Sequence, residues 1–280
     1  TLENDKIRCP WHGFDFDPFT GEAAGGPDFD VRTYPVEVRE DGVYVGTAPP
    51  APHVRTVSDV LVETMTNWGV DIVFGMVGHS NLGVAEAMHR AETAFAASAY
   101  GKLTGRPAAC FGIAGPGSTN LLTGLYDAKA DRAPVLAISG NVDSSVAGKG
   151  AFQDIDLLAA FSDVSVYSAM VRAGSDHAEL MTMALKHAIL ERGVGHLVLP
   201  DEIQVLPNPD APASGPHGRM PDLRVGPPAA ALAEALDLIE SATRPVIVVG
   251  AGAKFDMPAI IALGERLNAP ILTTFKAKGQ

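Results

Sequence analysis

A doubly wound α/β fold built on a parallel sheet is what this chain predicts, on three observations. Helical and strand-like patterns alternate from residue 56 to residue 205. The runs 108–114 and 134–139 are apolar without interruption, as strands covered on both faces are. Between them lie Gly115-Pro116-Gly117, a turn that side chains would obstruct, and then a helical stretch. Strand, turn, helix and strand make a right-handed βαβ unit, whose ligand crevice lies at the carboxyl ends of its strands.

Taken in order, residues 1–47 read as a small β unit with strands at 14–17, 33–39 and 42–46, and Asp41-Gly42 as a hairpin signal. The Pro/Ala-rich segment 48–55 is a stiff linker. Residues 56–205 form the main α/β domain. Thr56 or Ser58 caps a helix over 57–67, a strand follows at 71–77, and 81–103 reads as helix throughout. Ser118, Thr119 and Asn120 open and cap the helix after the glycine turn. A short helix ends near Phe161, 165–172 is a strand, 176–192 an amphipathic helix and 196–199 a strand. Residues 206–228, rich in Pro, Gly and Asp, form a second linker. The segment 229–280 then opens another α/β domain, with a helix at 229–242, a strand at 245–250, a helix at 260–267 and a strand at 271–275. Both ends read as cut from a longer polypeptide: Thr1 is not an initiator, and the chain stops just after a strand.

The composition excludes several classes. A formal net charge of −12 argues against a nucleic-acid partner and an anionic membrane surface. No apolar run approaches the roughly 20 residues that span a bilayer, and no signal peptide is visible. The two cysteines, Cys9 and Cys110, sit in unlike settings, so a reducing cytoplasm is expected. Cys110 reads as a buried small hydrophobe. His53, His177, His187 and His196 have no partner at ligand spacing, and Asp127, Lys129 and Asp131 read as solvated charges or helix-end contacts.

Cys9-Pro10-Trp11-His12-Gly13 places a thiolate and an imidazole on one loop. With Phe14-Asp15-Phe16-Asp17, Thr20-Gly21-Glu22, Tyr34-Pro35-Val36 and Asp41-Gly42-Val43-Tyr44-Val45 after it, the segment 5–46 resembles the carboxyl half of a Rieske domain. The resemblance implies a 2Fe-2S cluster with Cys9 and His12 as one of its two ligand pairs. The other pair would lie upstream of Thr1.

Residues 95–140 resemble the pyrimidine-binding domain of thiamine-diphosphate enzymes of the pyruvate oxidase and acetolactate synthase family. Phe95-Ala96-Ala97-Ser98-Ala99-Tyr100-Gly101 and Gly115–Asn120 carry the match, together with Val70–Gly75, Gly78, Asn81 and the pair Phe152-Gln153. The resemblance implies thiamine diphosphate with magnesium, a 2-keto acid substrate, and a site formed between the chains of a homodimer or homotetramer. It places Gly78, His79, Asn81, Gly115, Pro116, Gly117, Ser118, Asn120, Phe152 and Gln153 at the cofactor. The run Glu191–Pro200 leans towards the pyruvate oxidases, which adds FAD and an electron acceptor to the implied set. Gly250-Ala251-Gly252, standing alone, reads as a structural turn.

One stretch departs from the family. Aligning on Phe95 puts Arg90 where the family has its activating glutamate, and Glu92 is the nearby carboxylate. Residues 82–95 carry no strand-like run, which reads as the loss of one interior strand and a turn. The readings that follow are a pyruvate-type decarboxylase/oxidase with a Rieske module, an acetolactate-synthase-type carboligase, and a non-catalytic remnant. By itself this chain is expected to be inactive.

Overall fold

The computed structural model describes residues 2–3, 5–8, 15–23, 31, 33–39, 41–46, 54–75, 94–223 and 225–279. The chain divides into a unit over Thr1–Pro216 and a second over His217–Gln280.

Near the amino terminus, β1 (Leu2–Glu3), β2 (Lys6–Arg8) and β3 (Asp15–Phe16) pair antiparallel in that order. Arg8 holds both carboxylate oxygens of Asp15 at 2.7 Å. Asp17 accepts the N–H groups of Phe19 and Thr20, and those bonds hold its carboxyl down to about 2. A hairpin of β4 (Val36–Arg39) and β5 (Gly42–Val45) follows, in the register Val36↔Val45. Its valines share one exposed face. On the other face Arg39 pairs with Glu37 and lies over the Tyr44 ring.

The main sheet is parallel. Helix α1 (Val57–Asn67) opens on a capping box between Thr56 and Asp59 and leads to β6 (Val73–Gly75). After α2 (Ala94–Thr104) come β7 (Ala108–Gly112), the single turn α3 (Pro116–Thr119) and α4 (Leu122–Asp131). Then follow β8 (Val135–Asn141), α5 (Leu157–Ala160), β9 (Ser165–Met170), α6 (His177–Glu191), β10 (Val194–Pro200) and α7 (Asp201–Gln204). The strand order is β6-β7-β8-β10-β9. Every residue of β7, β8 and β10 is buried, as in strands covered on both faces, including the polar Ser139, Asn141 and His196.

The sheet separates two apolar layers. On one face Ala97, Cys110, Leu125, Ala137, Leu157, Phe161 and Val198 pack together, bringing α2, α4 and α5 onto the strands. On the other, Leu61 and Met65 of α1 and Met181 of α6 meet Ile138, Leu197 and Leu199. Polar pairs tie the helices together: Lys102 of α2 reaches both Asp127 and Asp131 of α4, and Ser98 donates to Asp127. These carboxylates are therefore clamps between helices.

Among the described residues β6 is an edge strand of the sheet and pairs directly with β7 through Val73↔Ala109 and Gly75↔Phe111. The stretch 82–93, which the sequence reads as having lost an interior strand, lies outside the described residues. Two expectations change. The helix after the glycine turn starts at Pro116, not at 118–120. Gly115 is its N-cap, Pro116 supplies the fixed φ of a first helical position, and Asn120 closes that first turn. Finally, the stretch 206–228 is not a free linker along its whole length. Its first part is fastened to α1: Arg55 donates to the carbonyls of Asn208 and Ala211, and Ser214 N–H donates to Thr64. The Asn67 amide donates to the Ser214 carbonyl.

In the second unit, α8 (Ala229–Ser241), β11 (Ile247–Val249), α9 (Met257–Leu267) and β12 (Ile271–Thr273) follow in turn, with β11 and β12 parallel. Ala251–Ala253 closes as a 3₁₀ turn after β11. No helix among the described residues is long and apolar enough to cross a membrane.

Candidate cofactor site at the carboxyl edge of the sheet

The carboxyl ends of β7 and β8 bring together two of the sequence-predicted segments. After Gly112 the chain reverses sharply. Gly115 takes φ +61°, and a Cβ there would lie 2.6 Å from the Gln153 carbonyl oxygen. A Cβ on Gly117 would lie 2.3 Å from Cγ1 of Ile113. Both positions thus exclude a side chain so that the turn can close on β7 and on the loop after β8. Gln153 itself has φ +68°, which an L-residue adopts only at a cost.

The individual candidates then separate by what their side chains touch. Ser118 is fully buried, and its hydroxyl donates back to the Ile113 carbonyl at 2.7 Å, with Gly112 O at 3.3 Å. It holds the turn. Pro116 and Asn120 lie on the exposed rim, and the Phe152 ring is 89% exposed. Gly78, His79 and Asn81 lie outside the described residues, as do Arg90 and Glu92. Cys9 and His12 lie outside them too. Among the described residues, no group of three or more His, Cys, Asp or Glu side chains could hold a metal ion.

One residue that sequence reasoning passed over stands at the same edge. Asn141 ends β8, is 5% exposed, and its Oδ1 is buried without a hydrogen-bond partner. An asparagine closing an apolar strand is the signal that could have found it. Nearby in the sheet, His196 is fully buried and hydrogen-bonded by both ring nitrogens, to Ser168 at 2.8 Å and Ser139 at 2.9 Å. Its ring stacks on Phe161, and burial pulls its pKa down to about 3. Burial pushes the Cys110 thiol up to about 12, which makes it inert as a nucleophile.

Comparison with known proteins decides the family. Residues 55–160 match the thiamine pyrophosphate enzyme N-terminal TPP binding domain, and residues 232–280 match the central domain of the same enzymes. The chain carries N-terminal and central domains of the thiamine pyrophosphate enzymes. A Bacillus subtilis protein described as thiamine pyrophosphate-containing is 34% identical over 239 residues, 80% of this chain and 41% of that protein. The acetolactate synthase large subunit of Parasynechococcus marenigrum is 33% identical over 82% of this chain and 40% of its own. The pyruvate oxidase of Lactiplantibacillus plantarum is 30% identical over 78% and 39%. This chain therefore spans about two fifths of these thiamine pyrophosphate relatives. The same fold appears in the Rhodococcus jostii RHA1 4-hydroxybenzoylformate decarboxylase, with a TM-score of 0.68 at 20% identity, over 79% of this chain and 44% of that one.

Proposed function

We propose that this chain holds the aminopyrimidine end of thiamine diphosphate at the carboxyl edge of its sheet, within an enzyme that decarboxylates and oxidises a pyruvate-like 2-keto acid. The observation that carries this reading is the closure of the Gly115–Gly117 turn against Gln153, at the edge where doubly wound sheets bind ligands. The described residues fit an uncharged heteroaromatic ring: a buried amide oxygen without a partner at Asn141 and an exposed ring at Phe152. They offer no cluster of acidic side chains for the magnesium–diphosphate end. We assign that end to residues outside those described, in a homodimer or homotetramer whose site forms between subunits.

Bound thiamine diphosphate supplies the electron sink for the carbon–carbon bond that breaks on decarboxylation. The protein's part is to orient the ring and exclude water from it. Oxidation of the keto acid with one water gives a carboxylate, carbon dioxide, two protons and two electrons. A flavin in the middle domain would take that electron pair. A Rieske cluster with Cys9 and His12 among its ligands would pass the electrons on singly, which is the use we assign to the amino-terminal segment. A carboligase of the acetolactate synthase type is the second reading, favoured by the 33% identity to such a synthase. A non-catalytic chain is the third, favoured by Arg90 at the position where the family resemblance puts its glutamate.

Titration calorimetry of the full chain with thiamine diphosphate, with and without magnesium, tests the binding. Saturable heat is expected, and no heat at millimolar cofactor overturns the reading. Supplying pyruvate and ferricyanide to the cofactor-bound parent enzyme, since this chain by itself is expected to be inactive, separates the three readings. Acetate with two ferricyanides reduced per pyruvate marks the oxidase, acetolactate marks the carboligase, and cofactor binding without turnover by the parent enzyme marks the non-catalytic protein.

A further inference from the structure

We propose that the outer edge of the β4–β5 hairpin binds a second copy of itself, β4 against β4, across a two-fold axis centred on Val38. The pairing joins two hairpins into one antiparallel sheet. It lies outside the main parallel sheet and does not rest on the function proposed above.

The hairpin is under-built as it stands. A two-stranded ribbon is at best marginally stable in water. Among the described residues β4 and β5 pair only with each other, so both outer edges carry unpaired backbone groups. The main sheet guards its own edge strand differently. Val194 pairs with Ser165 and Gly195 with Tyr167, which leaves Val166 of β9 as a bulge that blunts further pairing. β4 has no such guard. Its register with β5 runs unbroken from Val36↔Val45 to Arg39↔Gly42, and it contains no proline.

Hydrogen-bond parity fixes which groups face outward. The Gly46 N–H donates to the Pro35 carbonyl at 2.8 Å, so Pro35 and Gly46 form a hydrogen-bonded pair. Such pairs alternate with non-hydrogen-bonded ones along an antiparallel ladder. Glu37 and Arg39 therefore direct their backbone groups to β5, and Val36 and Val38 turn theirs away from it.

A second β4, antiparallel and with Val38 opposite Val38, uses those outward groups. Each Val38 N–H donates to the other's carbonyl. The same register sets Glu37 opposite Arg39 of the second copy, and Arg39 opposite its Glu37. These are the non-hydrogen-bonded positions, where facing side chains stand closest and opposite charges attract. Within one chain Arg39 already holds Glu37 at 2.7 Å, yet the two side chains stay 52% and 65% exposed. Across the axis the charges alternate as one network, a stronger arrangement than an isolated surface pair. On the other face Val38, at 76% the most exposed valine of the hairpin, lies against its own copy. The β5 edge offers no such match. Self-pairing there about Val43 would set Gly42 opposite Tyr44, and about Val45 would set Tyr44 opposite Gly46, with no charge pair in either.

The test is cross-linking of the full chain carrying Val38→Cys, with a short bis-maleimide and peptide mass analysis. Only the link between the two sulfurs at position 38 is counted. It should form when Glu37 and Arg39 are native. Adding either Glu37→Arg or Arg39→Glu sets like charges across the axis and should cut the yield about tenfold. Mixing these two chains sets unlike charges across the axis again, although neither keeps its internal Glu37–Arg39 pair. The mixture should regain the link, and the regained links should join unlike chains, which the peptide masses tell apart. Glu37→Arg and Arg39→Glu combined in one chain should link as the native pair does. Absence of the position-38 link with Glu37 and Arg39 native overturns the proposal. So does a mixture that links no better than either chain alone. A dimer held only through the cofactor site gives no position-38 link whatever the charges, and that result overturns this contact while leaving the functional reading intact.

Discussion

Gly115 and Gln153 share a space that admits only one Cβ. Gly115 sits at φ +61°, and the Cβ it lacks would come within 2.9 Å of the Gln153 Cα and 2.6 Å of its carbonyl oxygen. The turn after β7 and the loop after β8 are thereby locked in one arrangement at the sheet edge.

Gly115→Ala should consequently move the Gln153 loop, and not merely strain one residue. Gly148 is the control. It also has a positive φ, +75°, but nothing lies within 4 Å of the Cβ it lacks. Gly148→Ala should cost about 1–2 kcal/mol, the left-handed penalty alone. Gly115→Ala should cost clearly more and raise hydrogen exchange across residues 150–156. Equal losses in denaturant unfolding for the two variants would show that the contact with Gln153 is soft.

How far the sequence discloses this arrangement depends on the range of the contacts. β7, β8 and β10 are legible because a strand buried on both faces must be apolar at every position, and Ala108–Gly112 and Val135–Asn141 nearly are. The Thr56 cap is legible because Asp59 stands three residues on. The start of α3 is hidden in the sequence because Ser118 and Asn120 are capping types, yet Ser118 turns back on the Ile113 carbonyl. The strap after residue 206 looks like linker because its composition is that of a linker. What holds it is Arg55, some 150 residues away in the chain. Asn141 passes for a turn former, and only the packing of the sheet makes it a buried amide.

Arg55 gives the second prediction. Its guanidinium donates to the carbonyls of Asn208 and Ala211 and pairs with both oxygens of Glu63, at 3.1 and 2.6 Å. The pairing with Glu63 raises the Arg55 pKa and lowers that of Glu63. A lysine keeps the charge but lacks the planar fork. Arg55→Lys should release the strap, raising amide exchange over residues 208–214 roughly five-fold for a loss of about 1 kcal/mol. Amide exchange at Ser214, whose N–H donates to Thr64, is the most direct probe. Unchanged protection there would mean that the Ser214, Asn67 and Thr64 bonds suffice without Arg55.

His196 gives the third. It is neutral between Ser139 and Ser168 in the middle of the sheet, with its ring stacked 4.0 Å from Phe161. Burial lowers its pKa from the ordinary 6.5 to about 3, so the unfolded chain binds a proton in that interval and the folded chain does not. The sign follows: this contribution is fully present above pH 6.5, and it is lost as the pH falls towards 3. Between pH 6 and 4 the slope approaches about 1.4 kcal/mol per pH unit, on top of whatever the carboxylates contribute. His196→Phe removes the titrating group and leaves the two serine hydroxyls unpaired, so it should be less stable at neutral pH. Its stability should fall less steeply with acid than that of wild type, by about one proton's worth of slope in urea unfolding at pH 6, 5 and 4. Parallel curves for the two proteins would mean that His196 takes up its proton inside the folded sheet, with both serines accepting from the ring.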